Sequence, residues 1–363
     1  MLFRYFIKIA KTRLNCNGIF ALTPSSPVKS ETPREFGGSL KFRCDLGKLA
    51  AMKRRLASFL VLSLLTASTY SQDKGTFSFL RNDIGARAAG LNGSFVSMTD
   101  DPNVLFYNPG ALTSLTESKG SAGFLKHLLD VNGGYLSYSR SLEGIGTMGA
   151  GVLYMDYGSF TQTDESMNTL GTFGARDIAL LVGIGRSIDP VTSVGLNLKI
   201  IYSSIAGYSS SGLALDMGVL YQIPSQNITL GASILTLGTQ LKSYSGAKEP
   251  LPLDVTIGIT KRPEHLPVLL NLDFHHLTDQ QTDFASHFSS FSLGAEFLMS
   301  ESVRLRLGYN NQQRKELKLG TSANLAGISL GGGIVFGEYV IDYAFNSYGK
   351  IGSLHRISIG SSF

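Results

Sequence analysis

Val194-Gly-Leu-Asn-Leu-Lys-Ile-Ile-Tyr-Ser203 puts Val194, Leu196, Leu198, Ile200 and Tyr202 on one face of an extended strand, and Gly195, Asn197, Lys199, Ile201 and Ser203 on the other. Successive side chains of a strand point to opposite sides, so this decamer has one greasy and one mixed face. A single such segment fits any half-buried strand. Here the pattern recurs: Leu213, Leu215, Met217, Val219 and Tyr221 oppose Ala214, Asp216, Gly218, Leu220 and Gln222. Leu253 to Ile259 alternates with Asp254 to Thr260, and Val303 to Tyr309 alternates with Arg304 to Asn310. Repeated over the chain, it argues for a wall with one face in lipid and one toward a lumen.

Working outward, the alternation predicts strands near 119–126, 133–141, 145–156, 176–187, 192–203, 211–223, 227–236, 252–261, 267–275, 289–299, 302–311, 323–336, 338–346 and 353–363. The fold class expected is all-β: a transmembrane antiparallel barrel of about fourteen strands, an even number as in bacterial single-chain barrels. Tight links at 142–144, Asp189-Pro190, 224–226, Ser300-Glu301 and Gly337 alternate with longer connections, including 157–175, 204–210, 237–251 and 276–288. Short turns facing the periplasm and long loops facing outside put both termini on the periplasmic side. The last strand ends on Phe363. A terminal aromatic on a closing strand is the signal expected to be read by the barrel-assembly machinery, and the barrel domain is expected over 119–363.

The N-terminal third reads differently. Met52 opens a basic stretch (Lys53, Arg54, Arg55), an apolar run from Leu56 to Leu65 and a small-residue exit at Thr69-Tyr70-Ser71, the layout of a secretory signal peptide over 52–71. Residues 1–51 lack barrel alternation, and we take them as an over-extended start rather than part of the fold. Residues 1–71 hold twelve of the 32 Lys/Arg and three of the 27 Asp/Glu, which leaves 20 and 24, a net of about −4, for 72–363. The apparent basicity of the whole chain therefore predicts no nucleic-acid partner. Cys16 and Cys44 both precede residue 72, so no disulfide or thiolate metal site is expected after it.

Between the signal peptide and the first strand, residues 72–118 are rich in small apolar residues and turn formers: Gly85-Ala-Arg-Ala-Ala-Gly-Leu-Asn-Gly93, then Phe95 to Leu112 with Asp100-Asp101-Pro102 and Asn108-Pro109-Gly110. Proline fixes φ and Asp/Asn side chains cap backbone, so these residues punctuate a compact element, read as a plug inside the barrel. The stretch resembles the PorV/PorQ family, on its PorQ side, a group related to FadL-type channels whose N-terminal hatch sits in a fourteen-stranded barrel. The resemblance continues to about Arg186. It implies that Gly85, Ala86, Arg87, Gly90, Gly93, Asp100, Asp101, Asn108 and Pro109 form the hatch motif. It also implies an anchor in the type IX secretion machinery of Bacteroidetes-like bacteria, docking PorZ-, PorU- or PorV-like proteins through loops 157–175, 237–251 and 276–288. The rival reading is a FadL-like transporter moving a hydrophobic ligand laterally through a kinked or bulged wall.

No enzymatic activity, cofactor or metal is expected. Ser245/Lys248 and Ser347/Lys350 match a Ser-x-x-Lys pattern but lack its Lys-Thr-Gly or Ser-Asp-Asn partners. His275, His276 and His287 with Asp273, Asp279 and Asp283 could be read as a metal cluster, but adjacent histidines on a strand diverge, and a solvated loop is the preferred reading. Lys199, Asp216, Asp254, Asp273, Glu296, Arg304, Arg306 and Asp342 fall on the lumen phase of their strands, where opposite charges are expected to pair.

Overall fold

The computed structural model describes residues 75–279, 287–317 and 325–363. The expected over-extension and signal peptide lie outside these residues, as does Asp283. Fourteen strands follow one another: β1 (Lys119–Lys126), β2 (Asn132–Leu142), β3 (Gly146–Thr163), β4 (Thr169–Ser187), β5 (Thr192–Ile205), β6 (Tyr208–Ile223), β7 (Ile228–Lys242), β8 (Asp254–Lys261), β9 (Val268–Phe274), β10 (Phe291–Leu298), β11 (Val303–Asn310), β12 (Ile328–Phe336), β13 (Tyr339–Ser347) and β14 (Ser353–Ser362). Each pairs antiparallel with its neighbours in sequence, and β1 pairs with β14 from Lys119↔Ser362 to Lys126↔His355, closing the ring. Closure leaves no unpaired edge, which is the condition for strands to cross lipid.

The two faces separate as the alternation requires. Along β5, Leu196, Leu198 and Ile200 are 51%, 45% and 53% exposed, whereas Asn197, Lys199 and Ile201 are 1%, 4% and 0% exposed. Exposed apolar side chains on consecutive strands make a lipid-facing band, and the buried row faces inward.

Several boundaries differ from the sequence reading. The expected connection 157–175 is mostly strand: β3 and β4 continue to Thr163 and from Thr169, past a bulge between Asp156 and Ser159 where Gly158 adopts φ +78°. Beyond the bulge the two strands pair with each other alone, because β2 and β5 end opposite Asp156 and Ala175. Both faces of that ribbon meet water, so its sequence shows no alternation. The expected long link 204–210 is a two-residue turn at Ala206-Gly207, with φ +49° and +82°, and β7 runs on to Lys242. Strand β9 stops at Phe274, so His275 and His276 are neither strand residues nor a solvated loop; both are half-buried. The strand expected from 323 starts at Ile328.

Residues 75–118, the inner segment, run along the inside of this ring. Gly75 lies against Pro250 in the β7–β8 connection, and a 3-10 turn (Ser78–Arg81) is tied to the rim by Arg81, which donates to Asp279 and the Leu253 carbonyl. Next, α1 (Ala86–Gly90) packs on β12 and β13, α2 (Val104–Tyr107) on β3, and a 3-10 turn (Pro109–Ser114) on β4, β5 and β6. At the far end Asp100 pairs with Lys119 at the start of β1.

The wall makes room for this segment with glycine. A Cβ on Gly195 would lie 2.2 Å from Pro109 backbone, one on Gly218 2.0 Å from Asn108 Oδ1, one on Gly231 2.2 Å from the Val96 carbonyl, and one on Gly308 2.6 Å from Leu91 backbone. Gly332, one position along β12 from the inward row, has nothing within 4 Å of where a methyl would stand. Gly218→Val is therefore expected to lower stability by about 1–3 kcal/mol or more through overpacking, while Gly332→Ala stays within about 0.5 kcal/mol; thermal loss of the compact, gel-shifted barrel in detergent reads both.

Candidate functional site

The inner segment has too little regular structure to satisfy its own backbone, and the wall supplies the missing partners. Asp273 Oδ2 accepts from the N–H groups of Phe95 (2.7 Å) and Val96 (2.8 Å). Asn346 Nδ2 donates to the Ala89 carbonyl at 2.8 Å, and Ser329 Oγ to that of Gly90 at 2.9 Å. Asn197 Nδ2 donates to the Leu105 carbonyl at 2.7 Å. From the segment itself, Asn108 Nδ2 donates to the carbonyls of Val96 and Val219 while its Oδ1 accepts from Gly110 N–H, capping the turn that Pro109 starts. Buried backbone groups left unpaired would each cost about 1–3 kcal/mol, so these side chains fix the path of the chain.

Two buried ionic clusters lie in the lumen, one joining the inner segment to the wall and one within the wall. Arg87 presents Nη2 and Nε to Glu296 Oε1 and Oε2 at 2.8 and 2.9 Å, and Nη1 to Asp101 at 3.4 Å. Arg306 Nε shares Glu296 at 2.6 Å and reaches Asp342 with Nη1 at 2.6 Å. Gly333 leaves the space, since a Cβ there would meet Asp342 Oδ1 at 2.4 Å. On the other side of the lumen Lys199 Nζ pairs with Asp216 at 3.1 Å, and Asp216 also accepts from Thr236 N–H at 2.8 Å. Thr236 is the extra residue of a β6–β7 bulge, at φ +60°, and Asp216 satisfies the N–H that the bulge frees.

All eight predicted lumen charges thus lie on inward rows, with different partners. Five enter the two clusters, Asp273 caps the inner segment, and Asp254 accepts from His276 N–H and faces its Nδ1 at 3.1 Å. Arg304 is half-buried and makes no ion pair among the described residues. Of the motif residues, Gly85 (φ +87°) and Gly93 (φ +78°) turn the chain at either end of α1, Ala86 is fully buried, and Gly90 passes against Gly331. Phe363 is exposed, its N–H bonded to the Ser118 carbonyl at the end of the β1–β14 seam. Asn197, Ser329 and Asn346, which hold the inner segment, carry no charge and were not among the expected site residues. Their signal is a polar residue on the lumen phase of an otherwise regular strand.

A cavity of about 170 Å³ remains between the inner segment and the wall near the loop end, lined by Asp83, Tyr107, Asp254, His275, His276 and Arg356 among others. Burial opposes charge on His276, but the Asp254 carboxylate outweighs it and raises its pKa. Burial first, then His276, brings His275 down to about 4. Burial thus disfavours charge on His275, while the Asp254 carboxylate favours it on His276.

The cavity has a neighbour that cuts into the wall. A void of about 20 Å³ is lined from inside by Asp83, Ile84, Leu125 and Arg356, and from the lipid side by Phe124 and Ile357. Phe124, Gly134, Tyr135 and Ile357 also line an apolar groove of about 590 Å³ on the outer surface. The wall is thin here because Gly123 has no side chain: a Cβ would lie 2.2 Å from the Tyr135 ring, which covers the gap. Tyr135 is held by Ser121 Oγ at 2.8 Å, by Asn103 Nδ2 of the inner segment at 3.2 Å, and by an edge contact with Phe106.

No protein-family model and no curated protein matches the sequence. Solved structures do share the fold. The Ralstonia pickettii toluene transporter TbuX aligns with TM-score 0.54 at 11% identity, over 77% of this chain and 98% of its own. The Pseudomonas putida toluene transporter TodX gives 0.53 at 16%, over 77% and 98%. A Pseudomonas aeruginosa FadL homologue gives 0.50 at 10%, over the same shares. At these identities the likeness is one of fold: the chain is a closed fourteen-stranded antiparallel barrel with the fold of FadL-like outer-membrane channels.

Removing one partner of a buried, hydrogen-bonded pair costs about 3–5 kcal/mol. Arg87→Met and Glu296→Gln are therefore expected to loosen the inner segment while the barrel stays closed. Limited proteolysis between residues 85 and 101 should become faster by tenfold or more, with the gel-shifted barrel intact; equal protection in wild type and variants would refute the role of the cluster.

Proposed function

We propose that the chain is an outer-membrane channel for small hydrophobic compounds, with the inner segment as its plug and the wall at Tyr135 as the point where the compound passes between lumen and membrane. The observation that carries this reading is the void shared by the inner and outer faces at Phe124, Gly134, Tyr135 and Ile357. A hydrophobic solute gains nothing from an aqueous lumen, whereas a lateral exit delivers it to a medium it prefers. The fold likeness to proteins described as toluene transporters supports it. Tyr135 would act as the gate, because its ring fills the gap left by Gly123 and its hydroxyl bonds to Asn103 of the plug.

Tyr135→Ala should speed uptake of a hydrophobic fluorescent probe into cells or proteoliposomes several-fold, with hydrophilic solutes unaffected. Tyr135→Phe keeps the ring and loses the Asn103 and Ser121 bonds, so it should fall between. Unchanged uptake in a folded Tyr135→Ala barrel removes the lateral route.

A second reading follows the resemblance to the PorV/PorQ family: an anchor that docks a surface component of the type IX secretion machinery. The observation favouring it is the β3–β4 ribbon beyond the bulge. It carries the stacked pair Phe160 and Phe173 (centroids 5.4 Å apart) and the exposed Met167 and Leu170. Replacing residues 159–174 by a two-residue turn should abolish recovery of a stoichiometric surface protein in mild detergent and leave probe uptake unchanged; uptake falling while no partner is ever recovered would discard the anchor.

A further inference from the structure

The outer surface carries two apolar grooves of similar size, and they differ in what stands at their loop-end rim. The first, about 590 Å³, lies over β1, β2, β3, β13 and β14, where Ala122 and Gly134 replace the bulky outward residues that flank them, among them Phe124, Leu136, Tyr154 and Ile341. The second, about 640 Å³, lies over β8 to β12; at its loop end stand Phe291 and Tyr309, with Phe274 opposite Phe291, and its cation, Lys261, is at the other end. Aromatic rings at that level suit the interface of any bilayer.

Above the first groove the chemistry is different. One pleat beyond Ile357, Phe124, Gly134 and Tyr154, the paired positions run His355, Lys126, Asn132, Asp156 and Arg176 across five adjacent strands. Lys126 Nζ donates to Asn132 Oδ1 at 3.1 Å and is exposed. His355 Nδ1 meets Tyr343 OH at 2.7 Å and its Nε2 meets Ser353 Oγ at 3.1 Å. Arg176, 67% exposed, is 3.2 Å from Asp156, the one carboxylate in the row. Two permanent cations and a histidine against one acid leave the row net positive, at the loop end of the apolar groove. Lysine and arginine stems lie along apolar surface with their charges at the interface.

We propose that this groove is a specific seat for one phosphorylated lipid of the outer leaflet: an acyl chain lies over Ala122 and Gly134, and the phosphate is bound by Lys126 and Arg176 with His355 beside them. The apolar groove supplies the chain site and the cationic row the headgroup site, and the two are in register on the same strands. The second groove, with rings in place of cations, takes a chain without selecting the headgroup. This seat stands on the outward face and does not depend on passage of any compound past Tyr135.

The test is native mass spectrometry of the whole barrel in mild detergent, incubated with lipid A or with its dephosphorylated form. Wild type should retain one lipid A per chain and at least tenfold less of the dephosphorylated form. Lys126→Glu should lose this selectivity, and Gly134→Leu, or Ala122→Leu if the former folds poorly, should lose the bound lipid while the gel shift of the closed barrel is kept. Retention should also fall in 1 M salt, since the headgroup contacts are exposed. Equal retention of both lipids by wild type, or undiminished retention by Lys126→Glu, means annular lipid only and overturns the proposal. Probe uptake measured on Lys126→Glu separates the two ideas, because that variant leaves Tyr135 and the residues around the void in place.

Discussion

A chain that crosses lipid as strands must pair every backbone N–H and C=O within the ring, since hydrocarbon offers no partner. The β1–β14 seam, Lys119↔Ser362 through Lys126↔His355, completes that condition, and other features follow from it. Closing the ring turns one residue of every two toward a lumen wide enough to need filling. What fills it cannot be another sheet, and the short α1 and α2 with their connecting turns leave many backbone groups open. Wall side chains therefore become hydrogen-bond partners for a segment that precedes them in the chain.

The fit between the two is set by size and charge together. Inward glycines such as Gly195 and Gly218 let backbone approach backbone, which a sheet lined with larger residues would forbid. Beside α1, Arg87, Glu296, Arg306 and Asp342 link the segment to the wall with fixed charges. Desolvating four ionised groups is expensive unless each is paired, and the shared Glu296 lets two guanidinium groups use one carboxylate. The interior is thus polar around α1 and apolar around α2, where Leu105, Leu112 and Phe106 meet β3 and β4.

Strand number, inward phase and most boundaries were legible in the sequence, because lipid on one side and a lumen on the other impose a strict period of two. The reading failed where that constraint lapses. Tyr157 to Gly174 rises above the wall, so neither face is selected for greasiness and alternation disappears although pairing continues. Ser204 to Ser210 looks like a loop by composition, yet Gly207 permits a tight turn. His275 and His276 were misplaced because the strand ends one residue before them, and a pair of histidines carries no sign of which way the chain bends. In the site, charge on the lumen phase marked Glu296 and Arg306 in advance, while Arg87 came only with the family resemblance. Asn197, Ser329, Asn346 and Tyr135 stayed hidden, since a neutral polar or aromatic residue on the lumen phase reads the same whether it fills space or holds a partner.

The bonds between the inner segment and the last strands have a consequence for how the molecule assembles. Arg87 meets Glu296 209 positions later, Ala89 meets Asn346 257 positions later, and Ala86 meets Ser358 272 positions later. Contacts of such sequence separation carry a large loop-closure entropy and form slowly. A segment that precedes the whole wall in the chain is therefore among the last to complete its contacts. Until β11 to β14 arrive, α1 has no wall to pack on, and a nascent chain must be kept from aggregating through the very residues that later pack inside the ring.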